Sequence, residues 1–147
     1  MQNQLGNMSY QRTTPDWHVL AYVEDALTSH LSIVERRVAT IDGQPIPLSG
    51  LGGMITHPAW RGRGIASATL EQAVRFITNE LAAEFCLLLC REEVAPLYAR
   101  FGWKCVAGPT IFQQPAGKMT HSRLTMVLSC GGKAWPRGAI DLCGLPW

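Results

Sequence analysis

The sequence predicts an α/β domain built on a mixed, mostly antiparallel central sheet flanked by helices, and three observations carry that prediction. Residues 17–56 read as strands with turn punctuation, residues 64–81 repeat apolar side chains at helical spacing, and FCLLLC at 85–90 is a continuous apolar run. Such a run fits a strand buried on both faces. A strand meander followed by helix, buried strand and second helix needs a crossover, so the sheet must be mixed. With 147 residues the chain reads as one domain over 1–147, able to bury its own core.

The meander opens with WHVLAYVED, followed by LTSHLSIVERRVAT. There Leu31, Ile33 and Val38 alternate against Ser32, Glu35 and Arg37, with a phase shift near Val34 that predicts a bulge. Asp42-Gly43 is a hairpin signal. The third strand, IPLSGLGGMIT, carries Gly50, Gly52 and Gly53. Glycines weaken a strand, so they mark an irregular loop, a bulge or the close approach of a ligand to the backbone. From Gly64 to Leu81 the residues Ile65, Ala66, Leu70, Ala73, Val74, Ile77 and Leu81 share one helix face. EEVAPLYARFG follows the buried strand as a short helix, with Pro96 in its first turn and Gly102 as its stop. In the tail, KCVAG, PTIFQQ and SRLTMVLSC are strand candidates, and AWPRGAIDLCGLPW reads as a loop-rich end anchored by Trp135 and Trp147.

Composition narrows the functional classes. A net charge of +2 without a basic block gives no electrostatic support for nucleic-acid or membrane-surface binding. No run approaches the roughly 20 apolar residues of a membrane span. The five cysteines, Cys86, Cys90, Cys105, Cys130 and Cys143, have no ligand spacing and read as free thiols, which fits a reducing cytoplasm. His18, His30, His57 and His121 show no metal-ligand pairing, and no metal is expected.

The chemistry concentrates in HPAWRGRGIASATLEQAVRF, His57 to Phe76. A strand running into a glycine-rich turn and a helix start gathers unpaired N–H groups at the positive end of a helix dipole, and such a place binds anions. Gly62 and Gly64 clear the backbone, Arg61 and Arg63 add charge-assisted donors, and Ser67 adds a hydroxyl in the first turn. The stretch has neither the Lys-Ser/Thr ending of a P-loop nor a Gly-x-Gly-x-x-Gly spacing, so neither nucleotide class is favoured. The bland alternative is a solvated helix cap.

Arg61-Gly62-Arg63-Gly64-Ile65-Ala66 matches the Arg/Gln-x-x-Gly-x-Gly/Ala signature of the GNAT superfamily of N-acetyltransferases, and Leu97-Tyr98 with Phe101-Gly102-Trp103 resembles that superfamily's second-helix motif. Within the superfamily, HLSIVERRV, WRGRG, LYARFGW followed by GPT, and the Asp-x-x-x-x-x-Trp ending are most similar to the aminoglycoside 2′-N-acetyltransferases, and more weakly to rhizobial nodulation N-acyltransferases. The resemblance implies transfer of an acetyl group from acetyl-CoA to a primary amine of a small molecule, an amino sugar or aminoglycoside included, by direct attack in a ternary complex. It implies that the pyrophosphate of coenzyme A rests on the backbone N–H groups from Arg61 through Gly62, Arg63, Gly64 and Ile65 to Ala66, with Ser67. The pantetheine arm then pairs with Met54, Ile55 and Thr56, and Gly52 and Gly53 mark a bulge that splays two strands.

Acyl transfer to an amine needs a neutral amine, oxyanion stabilisation and a proton donor for the departing thiolate. The resemblance assigns the last role to Tyr98, whose phenol stays protonated at neutral pH; the alternative is a helix tyrosine filling the core. A backbone N–H at Met54 or Ile55 would receive the oxyanion. Related enzymes often carry a glutamate on the strand before the signature loop, where this chain has Gly50-Leu51-Gly52-Gly53. His57 is the candidate base, with water or a terminal carboxylate as alternatives; a histidine before proline also reads as a surface turn residue, and Glu92 and Glu93 as dipole-serving caps.

Residues 1–16 form a short extension where the superfamily normally has helices that wall the acceptor side. The aminoglycoside enzymes use acidic residues from that region and near the C-terminal tryptophan to hold a polycationic sugar, and this chain has Leu145 and Pro146 just before Trp147. An uncovered apolar face predicts a homodimer. The competing class is a catalytically degenerate CoA-binding sensor or oligomerisation module.

Overall fold

The computed structural model describes residues 10–147; residues 1–9, part of the expected front extension, lie outside the described residues. Alternating sequence becomes β1 (Trp17–Val23) and β2 (Ala26–Arg36), paired antiparallel. The Asp42-Gly43 signal closes a two-residue turn between β3 (Thr40–Ile41) and β4 (Gln44–Pro45). Both turn residues have positive φ, 47° and 79°, which is what a twisted two-residue hairpin requires. The glycine-bearing strand is β5 (Leu48–Thr56), antiparallel to β2.

A 3-10 turn at Pro58–Trp60 leads to α1 (Ile65–Asn79), which buries Leu70, Ala73 and Ile77. The apolar run forms β6 (Phe85–Cys90), then a 3-10 turn and the five-residue α2 (Ala95–Ala99). The tail adds β7 (Lys104–Cys105), β8 (Thr110–Gln114), β9 (Gly117–Thr120), β10 (Leu124–Ser129) and β11 (Ile140–Asp141). The central sheet has the order β1-β2-β5-β6-β10-β7, with β5 and β6 its one parallel pair among the described residues. A second sheet, β4-β3-β11-β8-β9, lies beside it.

The period-2 rule divides the core. Cys86, Leu88 and Cys90 of β6 pack toward α1 with Leu31, Ile33, Leu51 and Met126. Phe85 and Leu87 join Leu48, Phe112, Val127, Ile140 and Leu142 on the opposite side, against the second sheet. A central strand covered on both faces has to be apolar throughout.

Several local expectations shift. The bulge on β2 falls at Thr28, where Ala21 pairs Ser29 and Tyr22 pairs Leu27; around Val34 the pairing with β5 is regular. The loss of alternation at Val34 instead reflects burial on both faces. Val38 lies beyond β2 and is 60% exposed. The β9 strand and the β11 pairing inside the loop-rich end carry no sequence signal, because each is only two to four residues long and held by distant partners. Cys86 and Cys130 meet with Sγ atoms 3.2 Å apart as free thiols.

One face of the β1 edge is uncovered. Leu20, Tyr22, Leu27 and Ile55 are 47–61% exposed on the side away from α1, while Trp17 on the other side packs edge-on against Phe76 of that helix at 5.0 Å.

Candidate active site

Two parallel strands that stay paired leave no room between them, so a cleft in this sheet has to begin where pairing stops. The β5–β6 pairing covers only Ser49–Leu51 against Cys86–Leu88. Just beyond, His30 pairs Ile55 and Ser32 pairs Gly52, so Leu31 faces both Gly53 and Met54: β5 carries an extra residue there. Gly53 adopts φ 62°, a conformation costly for any residue with a side chain. The bulge turns β5 away while β6 continues against β10 to Cys90. Alternate residues of β5 past the bulge aim N–H and C=O groups away from β2, into the gap.

A cavity of about 710 Å³ fills this opening. Met54, Ile55, Thr56, Arg61 and Ala66 line it from the β5 side, with Cys90, Arg91, Leu97 and Tyr98 opposite. Arg61 is fixed by Nε donating to the Thr56 carbonyl at 3.1 Å. The helix start next to it is bare. Gly64, at φ 78°, supplies no capping side chain, and the first helical bond runs from Ala68 N–H to Gly64 C=O. The N–H groups of the first turn therefore lack intrahelical partners. A methyl group added at Gly62 or Gly64 would meet nothing within 4 Å. This is an open, positively polarised backbone surface that fits a phosphate.

Not all of the predicted loop reaches the cavity. Arg63 lies over the Trp60 ring at 4.9 Å, and with Gly64 and Ile65 it lines a separate groove between β1 and α1. Ser67 is half-buried in the first helical turn and lines neither cavity. His57 is displaced from the assigned role: its Nδ1 accepts the Ala59 N–H at 3.1 Å, capping the 3-10 turn, and it lines none of these cavities. The turn-residue alternative describes its place, because a lone pair committed to a cap is not free to take a proton. Glu92 and Glu93 open the 3-10 turn before α2 and also stand outside the cavity.

Tyr98 does line it, with its ring edge-on to Trp103 at 6.1 Å. Burial first, and then the Cys90 thiol, push the phenol above its ordinary value, so it holds its proton at neutral pH. Among the described residues its hydroxyl has no hydrogen-bond partner.

On the other face of β5 lies a second pocket, about 260 Å³, lined by Tyr10, Arg12, His121, Ser122, Arg123 and Trp147. The two cavities share Arg12, Gly52, Gly53, Leu89 and Arg123, so they adjoin across the splay. The pocket wall depends on the tail. The Trp147 ring occupies the place a Gly50 side chain would take, and its backbone carbon would lie 3.3 Å from a Gly52 Cβ. Buried Arg36 holds this tail by donating from its two terminal nitrogens to Leu142 O at 2.8 Å and Leu145 O at 2.7 Å, with its guanidinium 5.2 Å from the Trp147 ring. Two of the three strand glycines thus serve a tryptophan, and only Gly53 marks the bulge. Asp141, part of the tail motif, is engaged elsewhere with Lys118 at 2.6 Å.

Sequence reasoning missed Arg12, Arg123, His121 and Cys90 as site residues. They converge from both ends of the chain and from β6, and no local spacing announces them.

The description Acetyltransferase (GNAT) domain fits residues 3–106. A GNAT family acetyltransferase from Brucella melitensis, crystallised with acetyl-CoA, superposes with a TM-score of 0.56 at 21% identity, over 82% of this chain and 62% of that one. YhbS from Escherichia coli, in complex with CoA, gives 0.54 at 16% over 80% and 61%. An acyl-CoA N-acyltransferase from Pseudomonas aeruginosa gives 0.56 at 14% over 76% and 66%. This chain therefore spans less than two thirds of the length of each of these proteins, and at such identities the likeness is one of fold. The matched segment runs from the front of the chain through β1, β2, β5, α1, β6 and α2, and so contains the splay, the bare helix start and Tyr98: the chain belongs to the GNAT acetyltransferase domain family.

Proposed function

We propose that this chain transfers an acetyl group from acetyl-CoA to a primary amine of a small molecule. The observation that carries the reading is the conjunction of an uncapped helix N-terminus in open space with a strand splay directly beside it. A long ligand with a diphosphate near its middle and an uncharged arm fits that shape: the first-turn amides and Arg61 take the anion, and β5 from Met54 through Ile55 to Thr56 takes the arm along the edge that Met54 and Thr56 turn toward the gap. Two proteins of the same fold were crystallised with acetyl-CoA or CoA, which supports the same choice here. Bound there, the coenzyme supplies an activated acetyl group and a thiol leaving group. A backbone N–H of the bulge at Met54 or Ile55 stabilises the developing oxyanion. Tyr98 keeps its proton at Oη and gives it to the departing sulfur. Among the described residues no acidic side chain lines either cavity, and we assign the proton of the amine to water.

Calorimetry with acetyl-CoA tests the binding step, and release of CoA thiol with an amine panel tests transfer. Tyr98→Phe should lower kcat by about 100-fold with little change in KM, the scale of a lost general acid. An unchanged kcat would remove Tyr98 from the mechanism. Tight acetyl-CoA binding without turnover of any amine would favour a CoA-binding sensor. The uncovered face of Leu20, Tyr22, Leu27 and Ile55, beside an edge strand with no outer partner among the described residues, supports a homodimer. A monomer by light scattering at micromolar concentration would remove that part.

A further inference from the structure

We propose that the amine accepted by this chain carries its own anionic group, a carboxylate or phosphate, which Arg12 and Arg123 receive in the pocket beneath Trp147. The inference deepens the acetyl-transfer reading and rests on it.

Both arginines are held at the backbone while their charged ends stay free. Arg12 lies between Gln11, whose N–H and C=O both bond the Gln114 side chain at 2.9 Å, and Thr13, whose N–H reaches Pro146 O at 2.9 Å. Arg123 follows a turn in which its N–H donates to His121 Nδ1 at 3.1 Å. Among the described residues neither guanidinium joins an ion pair or a side-chain hydrogen bond, and both arginines are exposed toward the pocket they line. Two positioned but unpaired guanidiniums facing one pocket are an anion receptor in need of an anion.

The coenzyme does not provide it. Its phosphates belong at the start of α1, and the end that reaches the splay is uncharged. Arg12 and Arg123 stand at the splay, on the walls common to both cavities. The positive potential there is felt by His121, whose pKa is lowered by burial first and then by Arg123 and Arg12. The same potential disfavours the ammonium form of an incoming amine, making the neutral nucleophile more available beside walls that hold no acidic side chain among the described residues. A polycationic aminoglycoside, the acceptor the subfamily resemblance implies, would meet like charge without a compensating acidic side chain among the described residues.

The test uses matched amines: glucosamine against glucosamine 6-phosphate, tyramine against tyrosine, and kanamycin as a polycation. Each is measured with the full chain at saturating acetyl-CoA by thiol release, and with CoA by thermal shift, so that an inactive protein still reports binding. The anionic member of at least one pair should be preferred about 10-fold or more in kcat/KM or apparent affinity. Arg123→Gln and Arg12→Gln should each erase most of that preference, lowering use of the anionic partner far more than that of the neutral one, and Arg123→Lys should restore much of it. Equal or better use of the neutral and cationic amines, or a preference that survives the double Gln substitution, overturns the proposal. Acetyl-CoA alone is titrated in parallel. No response to it would sink the coenzyme reading, while a normal response without anionic preference sinks only the acceptor class.

Discussion

Gly50 and Gly52 on β5 and Gly62 and Gly64 in the loop before α1 look alike in sequence and do opposite things. The loop glycines stand in open space with φ of 76° and 78°; what matters is the side chain that must not block the approach to the amides. The strand glycines stand under Trp147, whose ring already fills the volume a Gly50 side chain would need. One pair keeps a surface free for a ligand, and the other makes a seat for the chain's own tail. Glycine in a sequence reports that a side chain is excluded, not what excludes it.

That contrast can be broken by substitution. The largest effect is expected from Gly50→Val, which would evict the indole and cost about 3 kcal/mol, a Tm loss of roughly 10 °C. A Tm within 2 °C of the parent would show that Trp147 is not packed there. Arg36→Ala should follow at about 2 kcal/mol, because the Leu142 and Leu145 carbonyls lose their buried donor. Urea unfolding would give that value directly, and cleavage of the tail by protease should quicken in step.

Gly64→Asp inverts the pattern. Aspartate tolerates positive φ better than most residues, so stability should fall by only about 1 kcal/mol. Its carboxylate would nevertheless repel a phosphate, and acetyl-CoA affinity should drop by about 10-fold or more in calorimetry. Retained affinity would mean that the anion is held elsewhere.

The smallest effect concerns His121. Its folded pKa lies below the ordinary value of about 6.5, so the unfolded chain takes up a proton more readily than the folded one. Stability should decline as pH falls below about 6.5, with the loss complete only below the lowered folded value. His121→Gln should flatten that limb by a fraction of 1 kcal/mol, visible as a smaller Tm difference between pH 7.5 and 5.5. An unchanged slope would show that other groups set the acid sensitivity.

Much of the site's first half was legible. The loop, the helix and the buried strand follow from contiguous residues, since strand pairing, helix periodicity and dipole are all local in the chain. The strand glycines read locally as a loop, a bulge or a ligand approach, the family resemblance marked Gly52 and Gly53 as the bulge, and the structure holds it at Gly53. Where local reasoning failed, a distant partner decided. His57 had a suitable ordinary pKa, yet the 3-10 turn claimed its ring nitrogen. Val34 broke the alternation because β2 is buried on both faces, not because it bulges. Val38 fell outside the strand it seemed to continue.

By itself, the sequence determined the α/β class, the order of strand, turn and helix around residues 54–67, and the chemistry of bare amides at a helix start, because each depends on residues within a few positions of one another. Only the tertiary structure decided that Trp147 fills the strand glycines, that Arg36 clamps the tail, and that Arg12, His121 and Arg123 share a pocket on the far side of the splay. Those features join residues from opposite ends of the chain. Their position is set by packing two sheets against each other, and no spacing along the sequence encodes it.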